Sequence, residues 1–226
     1  MLTLVFIVGY ILIKGIPNLT PELFQLEYNS ENVSMFPAII NTICMTVLSL
    51  LIAGPLGILA AVYLVEYAKK GNKLVSLVRV TAETLTGIPS IVYGLFGMLF
   101  FVTTLHWGYS MLAGAFTLAI MVLPVIMRTT EEALLSVPDT FREASFGLGA
   151  GRLRTIFVVI LPSAVPGIFS GVILSIGRIV GETAALMYTA GTVAELPKSV
   201  MSSTRTLSVH MLSLIHISEP TRLRCI

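Results

Sequence analysis

Two ionisable residues stand where ionisable residues are costly. Arg178 and Glu182 lie in Gly177-Arg178-Ile179-Val180-Gly181-Glu182-Thr183, inside an otherwise apolar run from about Val165 to Ala190. A charge at membrane depth costs at least about 2.5–3.5 kcal/mol on insertion scales, so by default it marks a functional position. On one continuous helix, residues four apart share a face, and Ser175 and Gly171 extend that face. If the helix restarts at Pro166, Arg178 lies about 18 Å along it, inside a hydrocarbon core of about 30 Å. This spacing suits reversible contact with an anion. Arg178 presents the cation, Glu182 holds and neutralises it when the path is empty, and the hydroxyls of Ser175 and Thr183 contact the passing group. A structural ion pair at a subunit seam accounts for the same spacing, and both readings stay open. Other chemistries are poorly supplied. His106, His210 and His216 are scattered, and Cys44 and Cys225 make neither a disulfide framework nor a metal-ligand set. There is no G-x-x-x-x-G-K-[ST] phosphate loop, so if ATP drives the molecule, another chain hydrolyses it.

A second concentration of polar groups runs from Arg128 to Pro162, the longest polar interruption in the chain. It reads as a charged helix-turn-helix between two spans. A short helix carries Arg142, Glu143 and Ala144, and Gly149 and Gly151 permit a sharp turn. Arg142, Arg152 and Arg154 can pair with acidic groups on a partner. Leu161-Pro162 ends the segment and opens the next span. The plainer reading is a solvated loop.

The elements that must position these groups are membrane helices. The chain has 226 residues, 55% of them hydrophobic and 12% charged, where a soluble domain carries about a quarter charged. A net charge of +2 is too small to suggest nucleic acid. Five apolar runs are predicted as spans: Met1 to Ile13, Pro37 to Tyr67, Leu85 to about Leu105, Ser110 to Met127, and Val165 to Ala190. The first is short for a span of about 17–25 residues. Gly54-Pro55 and Gly57 are expected to kink or thin the second, and Gly87-Ile88-Pro89-Ser90 to break the start of the third. Gly87, Ser90, Gly94 and Gly97 form one small-residue stripe, and Ser163, Gly167, Gly171 and Ser175 another, both suited to close helix contact. Glu66-Tyr67 reads as an interfacial anchor and Glu83 as a cap on the kinked helix, with a gate as its alternative. Tyr93 and Tyr188 read as packing aromatics that could also touch the path. Lys69, Lys70, Lys73 and Arg79 follow the second run and Arg128, Arg142, Arg152 and Arg154 the fourth, whereas 18–36 and 106–110 carry no Lys or Arg. Basic loops face the cytoplasm, with Lys198 and Arg205 as exceptions outside.

Glu143-Ala144-Ser145-x-x-x-Gly149, then nine residues, then Val159-x-Leu161-Pro162, resembles the E-A-A-x-x-x-G-x9-I-x-L-P loop of binding-protein-dependent ABC importer permeases. Ser145 stands for Ala and Val159 for Ile. Gly87 to Gly94, Glu131 to Pro138, Gly177 to Leu186, Thr189-Ala190-Gly191 and Leu207 to His210 together resemble the phosphate-uptake members, on their PstA-type branch. The resemblance covers about residues 10 to 211. It implies an all-α membrane protein of the type I ABC importer (MetI-like) bundle, with about five of six expected spans present, in a prokaryotic plasma or inner membrane. It implies a first span and outer loop over 1–36 and a permease core over 37–211 with a coupling loop at 128–162. It further implies ATPase subunits (PstB-type) that carry ATP and Mg, a second permease (PstC-type) and an external phosphate-binding protein (PstS-type). The coupling residues are then Arg142, Glu143, Ala144, Gly149 and Arg152. No cofactor is expected in this chain, nor any enzymatic step of its own.

Residues 212–222, LSLIHISEPTR, resemble the translation of a transposon-type sequencing adapter in all eleven positions. The expectation is that 212–226 are non-native and that the natural chain continues to a sixth span. Three rivals to the phosphate reading stay open: an importer for molybdate, sulfate or an organic solute, a motor-independent secondary transporter or channel, and an inactive fragment.

Overall fold

Long unbroken stretches of apolar helix formers leave the backbone one way to satisfy its polar groups without water, namely internally. The computed structural model describes residues 1–18, 21–25, 34–68, 71–197 and 199–217, and among these every regular element is helical. Lys69, Lys70, Glu27, Glu31, Lys198 and Cys225 lie outside the described residues.

Helix α1 is Leu2–Gly15 and buries none of its residues. Two short 3₁₀ turns follow, Ile16–Asn18 and Pro21–Phe24. Helix α2, Phe36–Val62, carries Pro55 inside it and widens into a π-helical turn at Tyr63–Tyr67. Helix α3 is Lys73–Thr86, begun by the Asn72 side chain accepting from Leu74 N at 3.0 Å. Helix α4, Ser90–Gly97, continues as π helix over Met98–Thr104. Helix α5 is Met111–Leu135 and α6 is Asp139–Gly147. The one-turn α7, Arg152–Arg154, leads through a π segment, Thr155–Ile160, into α8, Leu161–Gly181. Helix α9, Ala184–Thr189, and helix α10, Leu207–Ile217, complete the described chain.

Among the described residues, three helical segments are long and apolar enough to cross a membrane: Phe36–Tyr67, Met111–Leu135 and Arg152–Gly181. The α3–α4 pair makes a fourth if its 103° bend at the Gly87-Ile88-Pro89 break is one span. Of the five expected runs, the first is thus a 14-residue helix below span length. The fourth runs on past Met127 for two more turns, so Arg128, Glu131 and Glu132 lie on α5 and the break in the helix starts at Ser136. The fifth is interrupted after Gly181. Gly54-Pro55 does not stop α2.

The core lies between α2, α5 and α8, with α4 and α9 packed beside them. Met45, Leu118, Met121, Ile126, Ile179 and Leu186 fill its upper part, and Leu134, Ile156 and Ile160 the part below. The small residues act where helices nearly touch. A Cβ on Gly94 would stand 2.8 Å from Ala185 Cα, and one on Gly97 2.3 Å from Thr117 Oγ1. On α8, a Cβ on Gly167 would meet Ala133 Cβ at 2.6 Å, and one on Gly171 Thr129 Oγ1 at 1.9 Å. The first stripe is therefore used by its last two positions and the second by its middle two, while Gly87 and Ser163 face open space or their own helix.

Both charge-rich segments gather at one end of the bundle, as the basic-residue asymmetry requires. Arg79 of α3 meets Glu131 of α5 at 2.6 Å, and Arg128 meets Glu83 and Glu132 at 3.3 Å each. Glu83 therefore holds α3 to α5 through its carboxylate instead of capping a helix. At the opposite end, residues 190–206 cover the start of α5. Met111 N and Leu112 N, amides without helical partners, donate to Ser202 O and Val200 O at 3.0 Å each. The buried Asn41 amide donates to Glu195 O and Arg205 O at 3.2 Å each. Arg205 is tied down in turn through Thr192 O at 2.9 Å. His106 (φ +57°) and Gly108 (φ +65°) turn the chain into α5, with Trp107 stacked on Phe101 at 5.4 Å.

Candidate functional site

The first site is a break in a span. Gly181 ends α8, and Glu182 turns extended at φ −74°, ψ 127°. The expectation that Arg178 and Glu182 meet on one helix face therefore fails: the helix stops between them, and no ion pair joins them among the described residues. Each charge is instead matched to a helix end. Arg178 sits in the last turn of α8, where the helix dipole favours a cation. The Glu182 carboxylate, 8% exposed, accepts from Ala185 N at 3.0 Å and so caps the start of α9, where an anion is favoured.

The break follows the span-length segment Arg152–Gly181 and precedes the level at which α5 begins. Ser110 N, at the outer start of α5, donates to Thr189 O at 3.1 Å. Seven residues of helical rise separate Glu182 from that level, at most about 10 Å, and Arg178 lies about 6 Å deeper. The start of α10 seals one side of the break. Ser208 Oγ donates to Glu182 O at 2.5 Å, and Leu207 N donates to Thr42 Oγ1 at 2.9 Å.

Arg178 is half-buried, and among the described residues no hydrogen bond or salt bridge engages its guanidinium. The Tyr93 hydroxyl of α4 donates to Leu85 O at 2.7 Å. Ser175 is fully buried and spends its proton on Gly171 O at 2.9 Å. Thr183 stands at the N-cap of α9 with a hydroxyl 3.5 Å from Gly181 O. The four path candidates thus occupy the last two turns of α8 and the break itself. Arg178 is the one that presents a cation with no competing ion pair.

The second site is the loop around α6. Helix α6 buries none of its residues, so polar bonds rather than packing hold it to the bundle. Arg142 makes most of them. Its Nη2 and Nε donate to Glu66 Oε1 at 2.7 and 3.1 Å, its Nη1 to Asp139 Oδ1 at 3.1 Å and Val137 O at 3.0 Å, and its Nη2 also to Leu134 O at 3.1 Å. With every nitrogen engaged, Arg142 is an internal anchor and not the partner-seeking cation expected from sequence. Arg152 donates to Glu66 O and lies over the Tyr67 ring, 5.1 Å from its centre. Glu66, read from sequence as an interfacial anchor, is therefore where the loop is fastened.

The turn after α6 is a Schellman arrangement. Gly149 N donates to Phe146 O at 2.9 Å and Ala150 N to Ser145 O at 3.1 Å, with Gly149 at φ +81°. Ser145 and Thr155 share a hydrogen bond of 2.8 Å across the turn. What remains outward is Glu143, Ala144, Leu148 (90% exposed) and Arg154. Glu143 and Arg154 have no ion pair or hydrogen-bond partner among the described residues. The outward face thus offers one acid, one base and bare apolar surface.

Comparison with known proteins identifies the family of the chain. Residues 53–215 match the family described as the binding-protein-dependent transport system inner membrane component. The chain is 39% identical over 190 residues to the probable ABC transporter permease protein YqgI of Bacillus subtilis, covering 83% of this chain and 64% of that protein. It is 43% identical over 189 residues to the phosphate transport system permease protein PstA of Pasteurella multocida, covering 83% and 67%. Against PstA 1 of Mycobacterium tuberculosis it is 40% identical over 157 residues, 70% of this chain and 51% of that one. The chain thus spans from half to two thirds of the length of these relatives. The fold is like that of a chain in inward facing conformations of the MetNI methionine ABC transporter, with a TM-score of 0.57 at 21% identity, covering 84% and 88% of the two chains. The family model matches well over half of the chain, and the chain belongs to the family of inner membrane components of binding-protein-dependent transport systems.

Proposed function

We propose that this chain forms the translocation path of an ATP-driven phosphate importer and docks the ATPase through the loop at 143–162. The observation that carries the cargo reading is Arg178, a half-buried guanidinium in the last turn of an interrupted span, unpaired within the chain among the described residues. A cation kept at membrane depth without a counter-charge favours an anionic passenger, and phosphate accepts several charge-assisted bonds from a guanidinium. Relatedness to phosphate permeases points the same way. Thr183 and Ser175 are secondary contacts. Glu182, spent on α9, shapes the break and does not neutralise Arg178.

The partners are ATPase subunits of PstB type, which bind ATP and Mg and carry the hydrolysis, a second permease of PstC type, and a PstS-type binding protein outside. ATP binding closes the motor, the loop carries the movement inward, and the spans rock to release phosphate past Arg178. A second reading keeps the class and changes the cargo to another anion or an organic solute. It is favoured by the likeness to YqgI, whose name specifies no substrate.

The test is inorganic phosphate uptake by a transporter assembled with a full-length permease carrying Arg178→Gln. Uptake is expected to fall at least tenfold with the ATPase still bound. Unchanged uptake removes Arg178 from the path. Competition by molybdate or sulfate, with phosphate ineffective, would move the assignment to the second reading.

A further inference from the structure

Glu66 is the only residue that binds the loop from two directions among the described hydrogen bonds. Its carboxylate takes Arg142 of α6, and its backbone carbonyl takes Arg152 at the root of α8. The Glu66–Arg142 pair is largely shielded, with side chains 10% and 16% exposed, so it is screened far less than a surface pair. Elsewhere α6 buries none of its residues and touches the bundle at the Thr155–Ile160 turn, where Ser145 and Thr155 share a hydrogen bond. Beside it a cavity of about 590 Å³ opens between the end of α2 and the loop, lined by Glu66, Pro138, Asp139 and Phe146 among others. A force applied to α6 therefore reaches α2 through Arg142 and Glu66, while Ser145–Thr155 ties α6 to the root of α8.

Glu66 stands at the inner end of the Phe36–Tyr67 segment, and Asn41 stands near its outer end. The helix between them is continuous and packs along α5. A displacement received at Glu66 is carried by this rod to Asn41, which grips the backbone of the outer segment at Glu195 and Arg205.

We propose that Glu66 is a positioning residue that converts movement of α6 into movement of α2, so that it sets how much transport each ATP produces. This rests on the reading that α6 docks an ATPase. It assigns to the Glu66 carboxylate a role separate from holding the ATPase, because the exposed groups Glu143 and Arg154 are not among the partners of Glu66 in the described residues.

The test uses the assembled transporter with a full-length permease in proteoliposomes, supplied with inorganic phosphate and the binding protein. Three versions are compared with the unsubstituted permease: Glu66→Gln, Glu66→Asp, and Glu66→Gln with Arg142→Gln. The quantities read are ATPase retained per permease, and phosphate imported per ATP hydrolysed. With Glu66→Gln, ATPase retention is expected at the unsubstituted ratio and phosphate per ATP about tenfold lower. Glu66→Asp keeps the carboxylate and is expected to restore most of the ratio. The double substitution is expected to be no worse than Glu66→Gln alone, as for two groups that act as one unit. An unchanged ratio in Glu66→Gln overturns the proposal, and so does loss of the ATPase from that variant, which would make Glu66 a scaffold residue only. Failure of the docking reading shows differently: the unsubstituted permease would then not retain the ATPase, and both would fall.

Discussion

Replacing Gly149 by alanine isolates one energetic term, the left-handed backbone of the coupling turn. Gly149 sits at φ +81°, and a Cβ built on it meets no atom within 4 Å. Alanine there causes no clash with a neighbour. Its cost is confined to the αL conformation, about 1–2 kcal/mol for an L-residue. That conformation is what lets Gly149 N reach Phe146 O and Ala150 N reach Ser145 O. Because α6 buries nothing, the turn is held by these bonds together with the Ser145–Thr155 bond and the Arg142 anchor, and alanine alters none of the latter directly. A penalty of this size raises the opening equilibrium by about 5–30-fold. Hydrogen exchange of the 139–151 peptide in the detergent-solubilised protein reads that equilibrium directly. The expectation is exchange about 5–30 times faster for Gly149→Ala, with Gly149→Asn closer to wild type because asparagine tolerates αL. Equal protection in the glycine and alanine proteins would refute the argument. So would equal damage from alanine and asparagine, since that pattern would place the cost in something other than φ.

Three further perturbations test the packing and the outer segment. Gly94→Ala forces a Cβ to within 2.8 Å of the Ala185 backbone and is expected to destabilise by about 1–3 kcal/mol. Gly54→Ala meets nothing within 4 Å in a helix interior and is expected to be neutral or stabilising by up to about 1 kcal/mol. Thermal unfolding in detergent should show a clear loss for Gly94→Ala and none for Gly54→Ala, and equal losses would contradict the close contact of α4 with α9. Asn41→Asp keeps the shape but removes both donors to Glu195 O and Arg205 O, a loss of about 1–3 kcal/mol for two bonds. Faster hydrogen exchange over 191–206 checks it, and unaltered protection there would mean that Asn41 does not hold the outer segment.

Much of this architecture is legible in the residues. Basic-residue asymmetry puts the α2–α3 and α5–α8 connections on one side, and Arg79–Glu131 and Arg142–Glu66 join them there. The glycine spacing announces close helix contacts, and Gly94, Gly97, Gly167 and Gly171 make them. The break after Gly181 is not legible, because Val165 to Ala190 reads as one apolar run and its i, i+4 charges look like a pair. The signal is Gly181 next to an acid that can cap a second helix, but only the competing bond from Ala185 N decides the outcome. The role of Glu66 is hidden for another reason. Its partner Arg142 is 76 residues away, and no local pattern encodes which acid a distant arginine will choose. Asn41 is a lone amide in an apolar run, and a buried amide needs partners. Here they are the carbonyls of an irregular segment more than 150 residues on, which no spacing rule points to.

The π-helical turn at Thr155–Ile160 gives the distance between the loop and its span a meaning of its own. A π turn closes its hydrogen bonds five residues on instead of four, so it takes up an extra residue without interrupting the helix. Removing one residue from it would leave α8 intact and its glycines still facing α5. Everything before it would rotate by about 100° around the helix axis, the angle per residue of an α-helix. Arg152 would then swing away from Tyr67 and the Glu66 carbonyl, while Ser145 and Thr155, both on the loop side, would turn together. The nine residues between Gly149 and Val159 therefore act as a phase setting: their number, more than their identities, aims the loop at the inner end of α2.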